Sequence, residues 1–213
     1  MGVGQLTAEQ RRLTRRALID MARRRQQPGT GSARTLLEQR TVYQHWPDLT
    51  SLLAPIAWAV VGAVATRLYM SERMTRDMDI VVAAEDAQEV YAQLDAAGFQ
   101  REGFLSIGGV SWQSPAGQRV DVIEGRENWW PQAIAAAQNN RDAAGLPILP
   151  LPWLVLMKFQ AGRAQDIADV ARMLGQADDA ALAAVRATFR RHVDDDDLDD
   201  LESLIALGRL EMQ

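Results

Sequence analysis

The stretch SERMTRDMDIVV, residues 71–82, joins a polar segment to a β-branched run and is the starting point of the fold prediction. The run IVV at the end of this stretch is typical of a buried strand. Asp77 and Asp79 stand two residues apart where that strand begins. Alternate residues of a strand share a face, so both carboxylates point to the same side. Two like charges held together are costly without a cation. The pair therefore either meets Arg73 and Arg76 at an ordinary strand end or forms part of a site.

A third carboxylate lies in a second β-branched run, RVDVIE, at residues 119–124. Asp121 is flanked by Val120 and Val122, and packing seldom explains a central Asp in such a strand. If the two strands are neighbours, three carboxylates converge at one edge of the sheet. Mg²⁺ prefers oxygen ligands, and paired Mg²⁺ ions commonly serve the transfer of phosphoryl or nucleotidyl groups.

The amino-acid composition argues against several classes of functional site. The chain has 213 residues, 47% hydrophobic and 24% charged, which suffices for an ordinary core. It has no cysteine, and His45 and His192 lie far apart, which argues against thiol nucleophiles and Cys or His metal sites. The N-terminus lacks the apolar stretch of a signal peptide, and the uncharged run 49–66 contains Pro55 and Gly62. We therefore expect a soluble, cytoplasmic protein with no membrane partner.

The chain is predicted to have three parts: a helical, arginine-rich arm (1–48), an α/β core (49–125) and a helical C-terminal region (126–213). A capping box at Thr7 and Gln10 predicts the start of the first helix. Further helices are expected at 32–46, 63–70, 87–99 and through most of the chain after residue 129, including one over 152–175. Strands are expected at 56–61, 78–83, 104–114 and 118–124.

The charge is unevenly distributed. Residues 1–48 carry nine Arg against four acidic residues, although the whole chain has a net charge of −5. Seven arginines fall between Arg11 and Arg25, so this helix either binds an acidic partner or presents a solvated face. The acidic run DDDDLDD, at 194–200, is interpreted as solvated first-turn charge, because acidic residues are favourable at a helix N-terminus.

The stretch VVGAVATRL, at residues 60–68, carries the first phosphate-binding candidate. It predicts a strand, a turn at Gly62 and a helix. A glycine at that point would let the backbone approach a phosphate group, although it also fits an ordinary strand-ending turn.

The second candidate is Lys158, which lies among apolar residues of the predicted helix 152–175. Its ammonium group either snorkels to solvent or meets an anion. On one helix, Asp169 would lie about 20° of rotation from Lys158, on the same face, with Asp166 to one side. The functional interpretation is a Lys that holds a triphosphate, with Asp166 or Asp169 orienting it or Arg163.

In order along the chain, these residues form the pattern G-x₁₀-R-x-T-x-D-x-D, then h-D-h, then K-x₇-D-x-x-D. The pattern resembles the DNA polymerase β-like nucleotidyltransferase superfamily, and most closely its bacterial AbiEii-type branch of toxin-like nucleotidyltransferases. The resemblance covers about residues 56–174. The matching residues are Gly62, Arg73, Thr75, Asp77, Asp79, Asp121, Lys158, Asp166 and Asp169.

The resemblance implies an α/β (α+β) nucleotidyltransferase core, which is a small mixed sheet with helices packed against it, and a helical region that closes the nucleotide site. Asp77 and Asp79 would bind two Mg²⁺ ions, and Asp121 would complete one ion's shell and help as a base. An acceptor hydroxyl would attack the α-phosphorus of an NTP, and pyrophosphate would leave. Arg73 and Lys158 would balance the phosphate charge.

Two positions of the loop pattern add detail. Thr75 would fix the loop or donate to a phosphate oxygen. Ala63 stands where the family usually places Gly or Ser after the first Gly. Alanine keeps the backbone N–H but lacks the hydroxyl, so this departure bears more on turnover than on phosphate binding.

Two classes of function follow. The first is an enzyme that transfers a nucleoside monophosphate from an NTP to RNA or protein, with a toxin role and an antitoxin partner implied by the resemblance. The second is a non-catalytic nucleotide-binding or partner-binding module with the same fold. Transfer to a small molecule such as an aminoglycoside ranks below RNA or protein, because no acidic cluster stands out beside the site.

Overall fold

The computed structural model describes residues 7–28, 46–70 and 75–212. The chain divides into two compact units. A sheet unit is drawn from residues 34–150, and a helical unit is drawn from residues 1–33 and 151–213. The predicted division into 1–48, 49–125 and 126–213 stays a prediction. No described helix combines the length and the apolar composition that a membrane span needs.

The described residues form nine α-helices and five strands. The helices are α1 (Ala8–Arg25), α2 (Thr50–Leu53), α3 (Gly62–Thr66), α4 (Ala87–Ala96), α5 (Trp130–Ala137), α6 (Leu151–Ala161), α7 (Ala164–Gln176), α8 (Asp179–His192) and α9 (Asp195–Glu211). The strands are β1 (Trp58–Val60), β2 (Asp77–Ala83), β3 (Gln100–Phe104), β4 (Gly109–Gln113) and β5 (Arg119–Gly125). The predicted helix at 32–46 falls almost wholly outside the described residues, and Trp46 is not helical.

The sheet unit has one five-stranded mixed sheet in the order β1-β2-β5-β4-β3. Strands β2 and β5 run parallel, and the other neighbouring pairs are antiparallel. Met78 and Ile80 of β2 are fully buried, as are Val120 and Val122 of β5. The β-branched runs therefore form the centre of the sheet, because a strand with neighbours on both sides and covered faces needs apolar side chains. The predicted fold class, a small mixed sheet with helices, is confirmed.

The predicted strand at 104–114 is wrong in one respect, because the chain turns within it. Strand β3 ends at Phe104 and β4 begins at Gly109, and the two pair antiparallel. The amide of Gly108 donates to the carbonyl of Leu105 at 3.1 Å, which closes the turn. Phe104 and Ile107 are exposed, so their apolar character belongs to an edge hairpin and not to a buried run.

In the helical unit, the predicted single helix over 152–175 is two helices, α6 and α7. The break lies at Gly162, whose φ of +66° is a left-handed conformation that glycine adopts without steric cost. Helices α7 and α9 then cross closely. A Cβ on Gly208 would lie 1.9 Å from the carbonyl oxygen of Ala171, so only glycine permits this approach.

The arginine-rich helix α1 begins with the predicted capping box, in which Thr7 and Gln10 exchange hydrogen bonds. Its arginines contact the acidic run of α9, so the interpretation of that run as solvated first-turn charge holds only in part: Asp194, Asp195 and Asp196 are exposed, but Asp200 is buried. Arg15 is buried, and its Nε lies 3.1 Å from Asp200. Arg12 pairs with Asp194 and lowers the pKa of that carboxyl, mainly through their hydrogen bond. Opposite charges on two helices therefore hold the first helix to the last one.

Candidate active site

The carboxylate face of the sheet unit consists of Asp77, Asp79 and Asp121. Strands β2 and β5 are neighbours, and their register places Asp79 directly opposite Asp121. Directly opposite residues on neighbouring strands point to the same side, about 5 Å apart at the backbone. Asp77 lies two residues earlier on β2 and shares that side. All three residues are partly exposed, while their immediate neighbours along the strands, Met78, Ile80, Val120 and Val122, are buried. The structure thus brings the three predicted acidic residues to one end of one face.

Gly62 lies against this face. It is the first residue of α3, with φ +62°, and a Cβ placed on it would lie 1.8 Å from Oδ2 of Asp79. The amide of the preceding Val61 donates to the carbonyl oxygen of Asp79 at 2.9 Å. The turn between β1 and α3 is therefore fitted to Asp79, and the absence of a side chain at position 62 gives the Asp79 carboxylate its place.

Two hydroxyl groups hold the other carboxylates. Thr75 Oγ1 donates to Asp77 Oδ1 at 2.6 Å, which joins the loop before β2 to its first residue. Ser111 of β4 is the register partner of Asp121, and its Oγ donates to Asp121 Oδ1 at 2.5 Å. Arg119 lies nearby, with its Nε 3.5 Å from the same Asp121 oxygen. Each of these two carboxylates is therefore oriented by a neighbouring hydroxyl group.

The three carboxylates are chemically suited to a hard divalent cation, because carboxylate oxygens are the ligands that Mg²⁺ prefers. Placement supports the fit, since Asp79 and Asp121 lie opposite each other and share their face with Asp77. Within the described part of the chain, however, no three His, Cys, Asp or Glu side chains gather closely enough to form a ready-made cage. The three carboxylates therefore stay the predicted ligands of a cation, and the predicted count of two ions also stays a prediction.

Sequence reasoning missed Ser111, Arg119 and Glu102. Arg119 is the register partner of Asp77, and its Nε lies 3.3 Å from Oε2 of Glu102. The sequence offers one signal, because Arg119 stands two residues before Asp121 and must share its side of the strand. Ser111 could be found only by knowing that β4 pairs with β5 in this register.

Lys158, Asp166 and Asp169 form a separate ionic cluster within the helical unit. Lys158 Nζ lies 2.9 Å from Asp169 and 3.2 Å from Asp166, and all three side chains are at most 4% exposed. Arg163 adds a partly solvated cation 2.6 Å from Asp166. The three residues meet because α6 and α7 pack side by side, and not because they share one helix. These charged side chains can be buried only because they lie so close together, since an unpaired buried charge is very costly.

Two predicted residues remain. Arg73 lies outside the described residues. Ala63 is buried in the first turn of α3, and its carbonyl oxygen accepts from Thr66 Oγ1 at 2.8 Å. The predicted roles of both in phosphate binding stay predictions.

No protein-family model matches the chain, and comparison with characterised proteins gives no significant match. Among solved structures, the chain is similar to the antibiotic-resistance factor ANT(2'')-Ia in solution, at 14% identity and a TM-score of 0.41, over 72% of this chain and 82% of that one. A crystal structure of ANT(2'')-Ia with adenylyl-2''-tobramycin gives 16% identity and a TM-score of 0.40, over 72% of this chain and 87% of that one.

The Cid1 poly(U) polymerase is also similar, at 15% identity and a TM-score of 0.29. The alignment covers 70% of this chain and 46% of the polymerase, so the chain spans less than half of that protein.

Proposed function

We propose that the chain is a nucleotidyltransferase that moves a nucleoside monophosphate from an NTP to an acceptor hydroxyl. The observation that carries this proposal is the opposition of Asp79 and Asp121 on parallel neighbouring strands, with Asp77 on the same face. Three carboxylates at one end of a sheet repel one another, and a divalent cation bound between them would offset this repulsion. The membership in the polymerase β-like superfamily, and in its AbiEii-type branch, remains part of the proposal.

The chemistry divides among the residues of the carboxylate face. Asp77, Asp79 and Asp121 would hold the divalent cation, which supplies charge neutralisation at the phosphates and a lower pKa for the acceptor hydroxyl. The acceptor oxygen forms a bond to the α-phosphorus, and the bond from that phosphorus to the β-phosphate bridging oxygen breaks. Pyrophosphate leaves with the electron pair. Asp121 accepts the hydroxyl proton, directly or through water.

An acceptor of negative charge is favoured by the helical unit. Arg23, Arg24 and Arg25 are exposed in the last turn of α1, whereas Arg12 and Arg15 of the same helix are engaged by the acidic run of α9. Three consecutive exposed arginines attract a polyanion such as RNA and repel a cationic small molecule. Protein remains the second acceptor class. The predicted toxin role and antitoxin partner rest on the sequence resemblance alone.

The proposal is tested by incubating the full chain and Mg²⁺ with each of the four α-labelled NTPs, in separate reactions with RNA, protein and small-molecule fractions. We expect label in the RNA fraction with the native chain and none with Asp79→Asn or Asp121→Asn. Ser114→Ala, in the turn after β4, is a matched control and should transfer normally. Nucleotide binding without transfer to any fraction would favour the non-catalytic module instead.

A further inference from the structure

The Asp121 side chain is held by a buried hydroxyl group, and that hydroxyl group is held in turn by an arginine. Ser111 is 2% exposed, and its Oγ donates to Asp121 Oδ1. Arg119 Nε in turn donates to Ser111 Oγ at 2.9 Å. A hydroxyl group has a single proton, so the bond accepted from Arg119 leaves that proton directed at Asp121. The direction of the Ser111 hydroxyl is thereby fixed from both sides.

Arg119 is itself held in place from the edge of the sheet. Its Nε lies 3.3 Å from Glu102, and the register of β3 against β4 shifts between Arg101 and Gly103. A shift of this kind adds one residue to a strand and redirects a side chain. Glu102 is that added residue. The contacts thus run from Glu102 of β3 to Arg119 of β5, and then through Ser111 of β4 to one oxygen of Asp121.

We propose that Ser111 and Arg119 are positioning residues that hold the Asp121 carboxylate in the orientation in which it binds a divalent cation. Because Ser111 engages Oδ1, Oδ2 is the Asp121 oxygen that would bind the cation. Groups that orient a metal ligand raise metal affinity because the ligand loses less freedom on binding. The proposal rests on the proposed function, since it concerns the same carboxylates, but it can be tested without nucleotide or acceptor.

The test is calorimetric titration of Mn²⁺, as a probe of the divalent site, into the full chain without nucleotide. We expect Ser111→Ala to weaken binding about 10-fold, the lower end of the range for residues that orient a metal ligand. Ser111 is uncharged, so its loss changes no long-range electrostatic attraction. Ser114→Ala removes a buried hydroxyl from the same hairpin, and it should leave the affinity unchanged.

A second pair of variants distinguishes loss of the hydroxyl group from a general folding defect. Ser111→Thr and Ser111→Val add the same bulk, but only threonine keeps the hydroxyl. We expect Ser111→Thr to bind Mn²⁺ about 10-fold more tightly than Ser111→Val, at equal urea midpoints. Equal affinities for the two variants would overturn the inference, because only the hydroxyl distinguishes them.

Titration of Asp121→Asn separates this inference from the proposed function. If Asp121→Asn weakens Mn²⁺ binding and Ser111→Ala does not, the positioning role is refuted and the proposed function stands. If Mn²⁺ binding is absent, or is indifferent to Asp121→Asn, both fail. If Ser111→Ala weakens binding but the native chain transfers no nucleotide, the positioning role stands and the proposed function fails.

Discussion

Replacement of Gly62 by alanine tests how closely the turn before α3 is fitted to Asp79. Alanine at φ +62° costs about 1–2 kcal/mol in backbone strain. Its Cβ would lie 1.8 Å from Asp79 Oδ2, and relief of such an overlap costs about 1–3 kcal/mol more. We therefore expect Gly62→Ala to lower the free energy of unfolding by about 2–5 kcal/mol.

Urea unfolding followed by tryptophan fluorescence measures this loss. Five of the six tryptophans belong to the sheet unit, so the signal reports mainly on that unit. Gly117→Ala is the matched control, because φ there is +82° but nothing lies within 4 Å of the added Cβ. It should lose only the backbone part, about 1–2 kcal/mol.

A double variant isolates the contact itself. Asp79→Ala removes the carboxyl group that overlaps the new Cβ, so Gly62→Ala should cost less in that background, by about 1–3 kcal/mol. Equal losses for Gly62→Ala and Gly117→Ala, or an unchanged loss in the double variant, would refute the reasoning that Gly62 makes room for Asp79.

Three further predictions concern the helical unit. Lys158→Met removes the buried ammonium group shared by Asp166 and Asp169 and should cost about 3–5 kcal/mol in urea unfolding followed by circular dichroism. Arg163→Ala should cost under about 1 kcal/mol, because the Arg163 side chain is 72% exposed, and similar losses for the two variants would contradict the buried cluster. Arg15→Ala removes a cation that lies 3.8 Å above a buried phenylalanine ring and pairs with α9, so a loss of about 3–5 kcal/mol is expected by the same assay, and a loss below about 1 kcal/mol would refute the buried pairing. Burial, and secondarily Arg191, lowers the pKa of His192, so the unfolded chain takes up a proton first as pH falls below about 6.5 and stability declines by at most about 1.4 kcal/mol per pH unit. His192→Gln should remove that part of the decline, and an unchanged pH profile would contradict it.

The placement of the carboxylates on one face could be predicted from the sequence, because it depends largely on local periodicity. Asp77 and Asp79 share a face in any strand, and a carboxylate at position 121 is conspicuous between two valines. The β-branched flanks of these residues also marked the two strands that turned out to be neighbours. The strand order was not predicted, and the mixed sheet was expected only from the family resemblance.

Other features depend on contacts between distant segments, and the local patterns of a single sequence do not reveal such contacts. The pairing of Ser111 with Asp121 requires the register of β4 on β5, and the turn after Phe104 was hidden inside an apolar run. Lys158 and Asp169 do meet, but the predicted reason was wrong, because Gly162 breaks the helix between them. The contact of Arg15 with Asp200 likewise joins opposite ends of the chain.

A comparison of two labelled forms of one NTP shows whether its α-phosphorus is transferred to the acceptor. The full chain, Mg²⁺ and the acceptor fraction are incubated in parallel with the same NTP labelled at the α-phosphate or at the γ-phosphate. We expect α-label on the acceptor and γ-label only in released pyrophosphate, and we expect Asp79→Asn to abolish both. Transfer of γ-label to the acceptor would show phosphoryl transfer instead, and absence of transfer from either label would contradict the claim that this face is catalytic.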